Sequence, residues 1–338
     1  MHNTADSCDV AIIGAGPVGL FAVFECGMLE MGCHLFDALP APGGQCAALY
    51  PEKPIYDIPG HPRIGAAELV DSLLDQARPF APIFHLGHAV CGLAQTAQGF
   101  VVENMAGRRI AARAVVIAAG AGAFGPNRPP LAGIKEFEER SVFYLVRRRE
   151  DFRGRRVVIA GGGDSAVDWA LSLADVAEQV MVVHRRPRFR AAPQSAAQLH
   201  RLAEERRIEL VIPYQLHALE GDGGRLSAVI VADLAGGTRR LAADCLLPFF
   251  GLATDLGPLA SWEIALDQNR ISVDPATCAT SRPGIFAIGD IAAYPGKLKL
   301  ILSGFAEAAL AAHAIHPLVH PGEALHFEYS TTKGIPGS

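Results

Sequence analysis

The sequence contains no C-x-x-C motif, and this absence removes several classes of protein at once. Its seven cysteines stand singly, so the spacings typical of zinc ribbons, iron–sulfur proteins and thioredoxin-type redox centres are missing. We therefore expect reduced thiols that pack as small hydrophobic side chains, and no metal site.

The sequence also lacks an apolar run long enough to cross a bilayer. The longest uncharged stretch near the start covers residues 10–24 and is broken by three glycines, whereas a membrane-spanning helix needs about 20 apolar residues. The first nine residues do not show the basic and then apolar pattern of a secretory signal. We expect a cytoplasmic protein with no membrane partner.

A surplus of positive charge is missing too. The chain has 30 basic against 35 acidic residues, a formal net charge of −5 at pH 7, which argues against a nucleic-acid-binding protein. Half of its 338 residues are apolar and 19% are charged, so a sizeable core can form. The length favours two domains.

Glycine is plentiful, and three glycines form a first nucleotide motif. The apolar residues 10–13 predict a buried parallel strand, which Gly14-x-Gly16-x-x-Gly19 and an apolar helix follow. Such glycines permit a tight turn, close approach of backbone N–H groups to a pyrophosphate, and close packing of helix on strand. Asp37 ends the next apolar segment, where an acid can accept hydrogen bonds from ribose hydroxyls.

The pattern recurs in the second half of the chain. There Gly161-x-Gly163-x-x-Ala166 follows an apolar run and opens a second apolar helix, but the next strand ends in a basic segment. The arginines of this segment are Arg185, Arg186, Arg188 and Arg190. A carboxylate would repel a 2′-phosphate, whereas arginines bind one through charge-assisted hydrogen bonds. The second unit is therefore predicted to prefer NADPH to NADH; the alternative is a solvated arginine patch.

A later segment completes the pattern without starting a third unit. Residues 284–290 read as a strand that ends in Asp290 at a glycine turn. Two Rossmann-like three-layer α/β domains are predicted, and two bound dinucleotides in one chain suggest a flavin that a nicotinamide reduces.

Three segments resemble the two-dinucleotide-binding-domain flavoproteins, and among these the thioredoxin-reductase-like ferredoxin–NADP(+) reductases. They are GGQCAALYPEKPIYDIPG at residues 43–60, GGGDSAVDWA at 161–170 and EYSTT at 328–332. The resemblance covers essentially the whole chain. It implies an NADPH-binding domain, residues 121–246, inserted into an FAD-binding domain made of residues 1–120 and 247–338.

The same resemblance implies a set of cofactor contacts. Tyr50 would stack on the flavin ring, and Tyr329 would cover its other face from the partner subunit of a homodimer. Many members of the family carry Glu where this chain has Asp37. The implied FAD contacts are Asp37, Gln45, Tyr50, Val90, Phe124, Asp290 and Thr331.

The implied reaction passes a hydride from NADPH to FAD and single electrons to ferredoxin or flavodoxin, or the reverse. We expect no catalytic side chain, because the flavin carries the chemistry. Six arginines, here called the arginine cluster, could dock an acidic ferredoxin, although a solvated helix end is the alternative. They are Arg147, Arg148, Arg149, Arg153, Arg155 and Arg156.

Other enzymes of similar build stay open at this point. One alternative is a different NADPH-dependent flavin reductase or diaphorase, or a thioredoxin-reductase-like enzyme without its own redox disulfide; another is a non-catalytic flavin sensor. Residues 141–149 contain no cysteine, and Cys46 has Pro51 where a C-x4-C pair needs its second thiol. Disulfide exchange requires two thiols within reach, so these absences weigh against disulfide reduction.

Overall fold

The chain forms two compact units. The computed structural model describes residues 6–120, 122–323, 325 and 334, with only the backbone described for 123–126 and 252–255. Unit 1 comprises Met1–Phe124 and Thr254–Ser338, and unit 2 comprises Gly125–Ala253. The chain passes between the units a few residues after the positions expected from the sequence.

Helices and strands alternate in both units. The helices are α1 (Pro17–Met28), α2 (Gly44–Ala48), α3 (Ala66–Ala77), α4 (Ile134–Phe137), α5 (Asp164–Leu173), α6 (Pro193–Glu204) and α7 (Ile301–Val319). The strands are β1 (Ser7–Ile13), β2 (Cys33–Phe36), β3 (Pro54–Ile55), β4 (Ile64–Gly65), β5 (Ile83–His85), β6 (Val90–Thr96), β7 (Gly99–Asn104), β8 (Arg109–Ile117), β9 (Ala123–Pro126), β10 (Arg156–Ala160), β11 (Gln179–Val183), β12 (Glu209–Val211), β13 (Gln215–Asp222), β14 (Arg225–Ala232), β15 (Thr238–Ala242), β16 (Cys245–Pro248), β17 (Leu252–Asp255), β18 (Leu266–Asp267), β19 (Arg270–Ser272), β20 (Ile285–Ala287) and β21 (Ala292–Ala293).

Unit 1 is built on a seven-stranded sheet of order β5-β2-β1-β8-β7-β6, in which β20 also pairs with β8. The strands β5, β2, β1, β8 and β20 run parallel, and β6, β7 and β8 form an antiparallel meander. Ile13 pairs with Phe36 on one side and Ile117 on the other. Three strands therefore finish at one edge, beyond which parallel sheets bind their ligands.

The core of unit 1 follows from the apolar run of β1. Val10–Ile13 is buried on both faces, as a parallel strand covered on both sides requires. One face packs against α1, α3 and α7, with Leu20 and Leu73 in the interface. The other face packs against the segment that contains Trp262 and Ile271.

Unit 2 repeats this plan with a four-stranded parallel sheet, β12-β11-β10-β16, and a separate antiparallel sheet, β13-β14-β15. In unit 1 the strand β8 belongs to both the meander and the parallel sheet. In unit 2 two strands divide this role, because β15 belongs to the antiparallel sheet and β16 to the parallel sheet, with a break in the strand between them. Asp244 lies in that break and accepts the backbone N–H and the guanidinium of Arg156. The prediction of two Rossmann-like α/β domains is confirmed. No helix among the described residues has the length and apolar character that crossing a membrane requires.

Candidate functional site

A cavity of about 460 Å³ opens beyond the carboxyl ends of β1, β2 and β8 in unit 1. It gathers residues that are far apart in the sequence, including most of the FAD contacts implied by the resemblance. The predicted residues that line it are Gly14, Gly16, Asp37, Gln45, Tyr50, Val90 and Asp290. The side chain of Phe124, and Tyr329 and Thr331 altogether, lie outside the described residues.

The turn from β1 into α1 is compact because its glycines carry no side chain. Gly14 has a φ of +111°, and a Cβ there would lie 2.3 Å from the carbonyl oxygen of Ala118. A Cβ on Gly19 would lie 1.9 Å from the carbonyl oxygen of Gly14, so Gly19 holds helix against strand and does not itself line the cavity. Gly16 precedes the first turn of α1 and faces the cavity. The N-terminus of α1 is therefore open to an anion there.

Asp37 is fixed where β2 ends. Its Oδ2 accepts the N–H of Ala15 at 2.7 Å, and its Oδ1 accepts that of Leu39 at 2.9 Å. Burial raises the pKa of Asp37, and the backbone N–H donors oppose this rise. The carboxylate thus lies beside the glycine turn, with its orientation set by the backbone.

The two glycines before α2 bring a second backbone segment against this turn. The N–H of Gly43 donates to the carbonyl oxygen of Ala15 at 2.7 Å. Gly44 has a φ of +54°, and a Cβ there would lie 3.0 Å from the Cα of Gly16. The paired glycines of the GGQC segment are thus required by close approach of two backbones.

Cys46 lines the cavity without being poised for redox chemistry. Its Sγ lies 4.0 Å from the hydroxyl oxygen of Tyr50, and burial raises the pKa of the Cys46 thiol to about 11. A thiol with that pKa stays protonated at neutral pH, whereas the thiolate is the reactive form. All seven cysteines are free.

The cavity also contains residues that sequence reasoning did not single out. Residues 256–259 line one wall. Lys299, Leu300 and Ile301 line another wall at the start of α7. Leu300, which precedes α7, offers no side-chain cap that would mark the start of this helix in the sequence.

Unit 2 has its own glycine turn between β10 and α5. A Cβ on Gly161 would lie 2.6 Å from the carbonyl oxygen of Phe249 and 2.9 Å from the Cβ of Ala166. Gly163 precedes α5, and a Cβ there would have no neighbour within 4 Å. The turn therefore leaves open space at the N-terminus of α5.

The basic segment after β11 folds back onto this turn. His184 Nε2 lies 3.2 Å from the carbonyl oxygen of Arg188, and the N–H of Arg190 donates to the carbonyl oxygen of Gly162 at 2.7 Å. A Cβ on Gly162 would overlap the His184 ring. Burial lowers the pKa of His184, and the neighbouring arginine charges lower it further. Arg185 and Arg186 are exposed. Because the segment is bonded to the turn at Gly162, the predicted arginines and glycines lie at one edge of unit 2.

Comparison with known proteins identifies the family and the relatives that this chain resembles. The family model described as pyridine nucleotide-disulphide oxidoreductase matches residues 8–314. A ferredoxin–NADP reductase from Paramagnetospirillum magneticum is 66% identical over 329 residues, covering 97% of this chain and 98% of the relative. One from Rhodospirillum rubrum is 63% identical over 340 residues, covering 99% of each chain. These relatives confirm the resemblance stated from the sequence.

Among solved structures, a thioredoxin reductase from Lactococcus lactis superposes with a TM-score of 0.80 at 24% identity, covering 92% of this chain and 99% of that one. A thioredoxin reductase from T. acidophilum gives the same TM-score and identity over 92% and 98% of the two chains. These likenesses show the fold. The chain therefore belongs to the pyridine nucleotide-disulphide oxidoreductase family.

Proposed function

We propose that this chain is a ferredoxin–NADP reductase, which passes a hydride from NADPH to FAD and single electrons to ferredoxin, or runs the reverse reaction. One observation carries the assignment of the two nucleotides. The two units place residues of opposite charge at corresponding strand ends, Asp37 after β2 and Arg185 with Arg186 after β11. An acid suits the unphosphorylated ribose of FAD, and arginines suit the 2′-phosphate of NADPH.

FAD fits the residues that line the cavity of unit 1. The open N-terminus of α1 at Gly16 takes the pyrophosphate, Asp37 accepts the ribose hydroxyls, and Asp290 holds the ribityl chain. Tyr50 packs against the flavin ring, and its burial keeps the phenol protonated by raising its pKa. When bound, FAD supplies the hydride and one-electron chemistry, so the side chains bind, orient and shield.

NADPH is assigned to unit 2. The N-terminus of α5, left open by Gly161 and Gly163, takes the pyrophosphate. Arg185, Arg186 and Arg190 bind the 2′-phosphate, because their segment is closed onto Gly162 by backbone hydrogen bonding. FAD in unit 1 and NADPH in unit 2 are thus the proposed domain roles.

Mixing the FAD-loaded protein with NADPH under anaerobic stopped-flow conditions tests this function. We expect rapid bleaching of the flavin absorbance, and cytochrome c reduction that depends on added ferredoxin. NADH serves as the matched donor and should bleach the flavin much more slowly. Cytochrome c reduction that proceeds equally fast without ferredoxin would identify a diaphorase and overturn the proposal.

The arginine cluster in unit 2 is the proposed docking surface for ferredoxin. Acids already pair with three of its members, since Arg148 binds Asp151, Arg153 binds Glu150, and Arg156 binds Asp244. Arg147 is exposed and begins the run of three consecutive arginines in this cluster, so we test it together with the neighbouring Arg149.

Reversing the charge of Arg147 and Arg149 (R147E/R149E) is expected to raise the KM for ferredoxin about tenfold at low salt. The difference should shrink as salt screens the charges, while NADPH-driven flavin bleaching stays unchanged. The control R206E/R225E reverses two exposed arginines elsewhere in unit 2. An equal rise in KM for the control would show that net charge, and not this surface, matters.

A homodimer is proposed through the outer face of α7. Leu302, Leu310 and Leu318 are exposed there, and the only Asp, Glu, Lys or Arg of the helix, Glu307, is buried. An uncharged apolar face of this kind suits contact with a second copy of the chain. A monomer mass in sedimentation velocity would contradict it.

Three further points stay predictions. They are the contribution of Tyr329 from the partner subunit, flavodoxin as a second acceptor and a cytoplasmic location.

A further inference from the structure

A buried ion pair lies behind the cofactor cavity of unit 1. Lys297 and Glu307 form it, and their side chains are only 2% and 3% exposed. Charged side chains are almost never buried to this extent unless they are paired, and desolvating both costs free energy that the pair must offset. The proposed reaction does not use either group directly, because neither lines the cavity.

Glu307 receives three donors. Its Oε2 accepts the N–H of Gly289 at 2.7 Å, and its Oε1 accepts the hydroxyl of Tyr294 at 2.6 Å and the ammonium of Lys297. Burial, followed by the neighbouring carboxylate, raises the pKa of Tyr294, so its hydroxyl stays protonated and continues to donate. The carboxylate oxygens are thus engaged by one backbone and two side-chain groups.

These donors belong to two separate walls of the cavity. Gly289 has a φ of +75° and directly precedes Asp290, which lines the cavity. Lys297 comes two residues before Lys299, which begins the wall segment that continues to Ile301 at the start of α7. One carboxylate on α7 therefore joins the Gly289–Asp290 turn to the segment that leads into α7.

We propose that Glu307 is a positioning residue for FAD, which acts with Lys297 and Tyr294 to hold these two walls at the spacing the cofactor requires. This inference rests on the proposed occupation of the cavity by FAD. Buried networks of this kind fix a single arrangement when every member is satisfied, and a partly satisfied network is costly. Glutamine at position 307 has one acceptor oxygen where the carboxylate has two, and it leaves the ammonium of Lys297 without a counter-charge.

The test measures FAD binding to the apoprotein by fluorescence titration and records the visible spectrum of the bound flavin. We expect Glu307→Gln to raise the FAD dissociation constant about tenfold or more and to shift the flavin absorbance bands. The double variant E307Q/K297M should recover part of the affinity, because the uncompensated ammonium is gone. If the loss of FAD affinity in the double variant equals the product of the losses in E307Q and in K297M, the two residues act independently. That result would contradict the network.

Asp9→Asn is the matched control. Asp9 is also a buried carboxylate of unit 1 that accepts a backbone N–H, from Gly32 at 2.8 Å, but it lies near the opposite end of β1 from the cavity. The D9N protein should bind FAD with a dissociation constant within about twofold of the wild-type value. An equal loss in D9N would reduce the effect of E307Q to general destabilisation and overturn the inference.

Two further arms keep the outcome unambiguous. If E307Q does not fold, Tyr294→Phe removes a single hydroxyl and is expected to weaken FAD binding about threefold; unchanged binding would then overturn the inference. A wild-type chain that binds no FAD would instead overturn the proposed function. Wild-type binding with an unaltered E307Q would overturn this inference alone.

Discussion

Replacing Arg185 and Arg186 by alanine is expected to lower kcat/KM for NADPH about a hundredfold and to leave that for NADH within about twofold. Both residues are exposed at the end of β11, so both can contact the 2′-phosphate. A charge-assisted contact of about 1.4 kcal/mol changes kcat/KM tenfold. NADH lacks this phosphate and loses nothing. The measurement is steady-state kinetics with both donors, supported by inhibition constants of 2′-AMP and 5′-AMP.

The matched control is the Arg239→Ala/Arg240→Ala chain, which removes the same charge from unit 2. These neighbouring arginines lie on β15 and pair with Glu209 and Glu220, away from the glycine turn of α5. The control should keep the preference for NADPH. If both double variants lose it equally, the arginines act through the overall field of unit 2 and not through contact with the phosphate.

The strands of both units could be predicted because parallel strands buried on two faces read as continuous apolar runs. The run of residues 10–13, predicted as a buried parallel strand, lies within β1 and ends with it at Ile13. Helix ends were harder. The residues 298–302 that surround the start of α7 are apolar apart from Lys299, so no change in pattern marks the boundary at Ile301.

The site could be predicted where a motif dictates it and not where distant segments meet. Gly14, Gly16 and Asp37 follow from the spacing of one strand–turn–helix unit. The approach of Gly44 to Gly16 depends instead on how two loops pack, and the sequence shows only that glycines are present. A single Glu in the otherwise uncharged α7 was the one signal of the buried network, because an isolated acid among apolar residues requires a partner.

Replacing Gly19 by alanine is expected to remove FAD from the protein. The new Cβ would lie 1.9 Å from the carbonyl oxygen of Gly14, so α1 must move away from β1. Forced overpacking of this kind costs about 3 kcal/mol, and the movement carries the N-terminus of α1 away from the pyrophosphate. The measurement is the FAD content of the purified protein and its dissociation constant on reconstitution. A fully yellow G19A protein with wild-type affinity would contradict the packing argument.

Unit 2 shows that the clash is specific to the geometry of unit 1, because Ala166 occupies the corresponding position there. The control Gly65→Ala adds the same methyl group to unit 1 at a φ of −69°, where its nearest neighbour lies 3.8 Å away, so G65A should keep its FAD.

Since unit 2 has its own parallel sheet, G19A should still bind NADPH with wild-type affinity by calorimetry. Loss of both nucleotides would mean that the whole chain has unfolded, whereas loss of FAD alone places the damage at the β1–α1 turn.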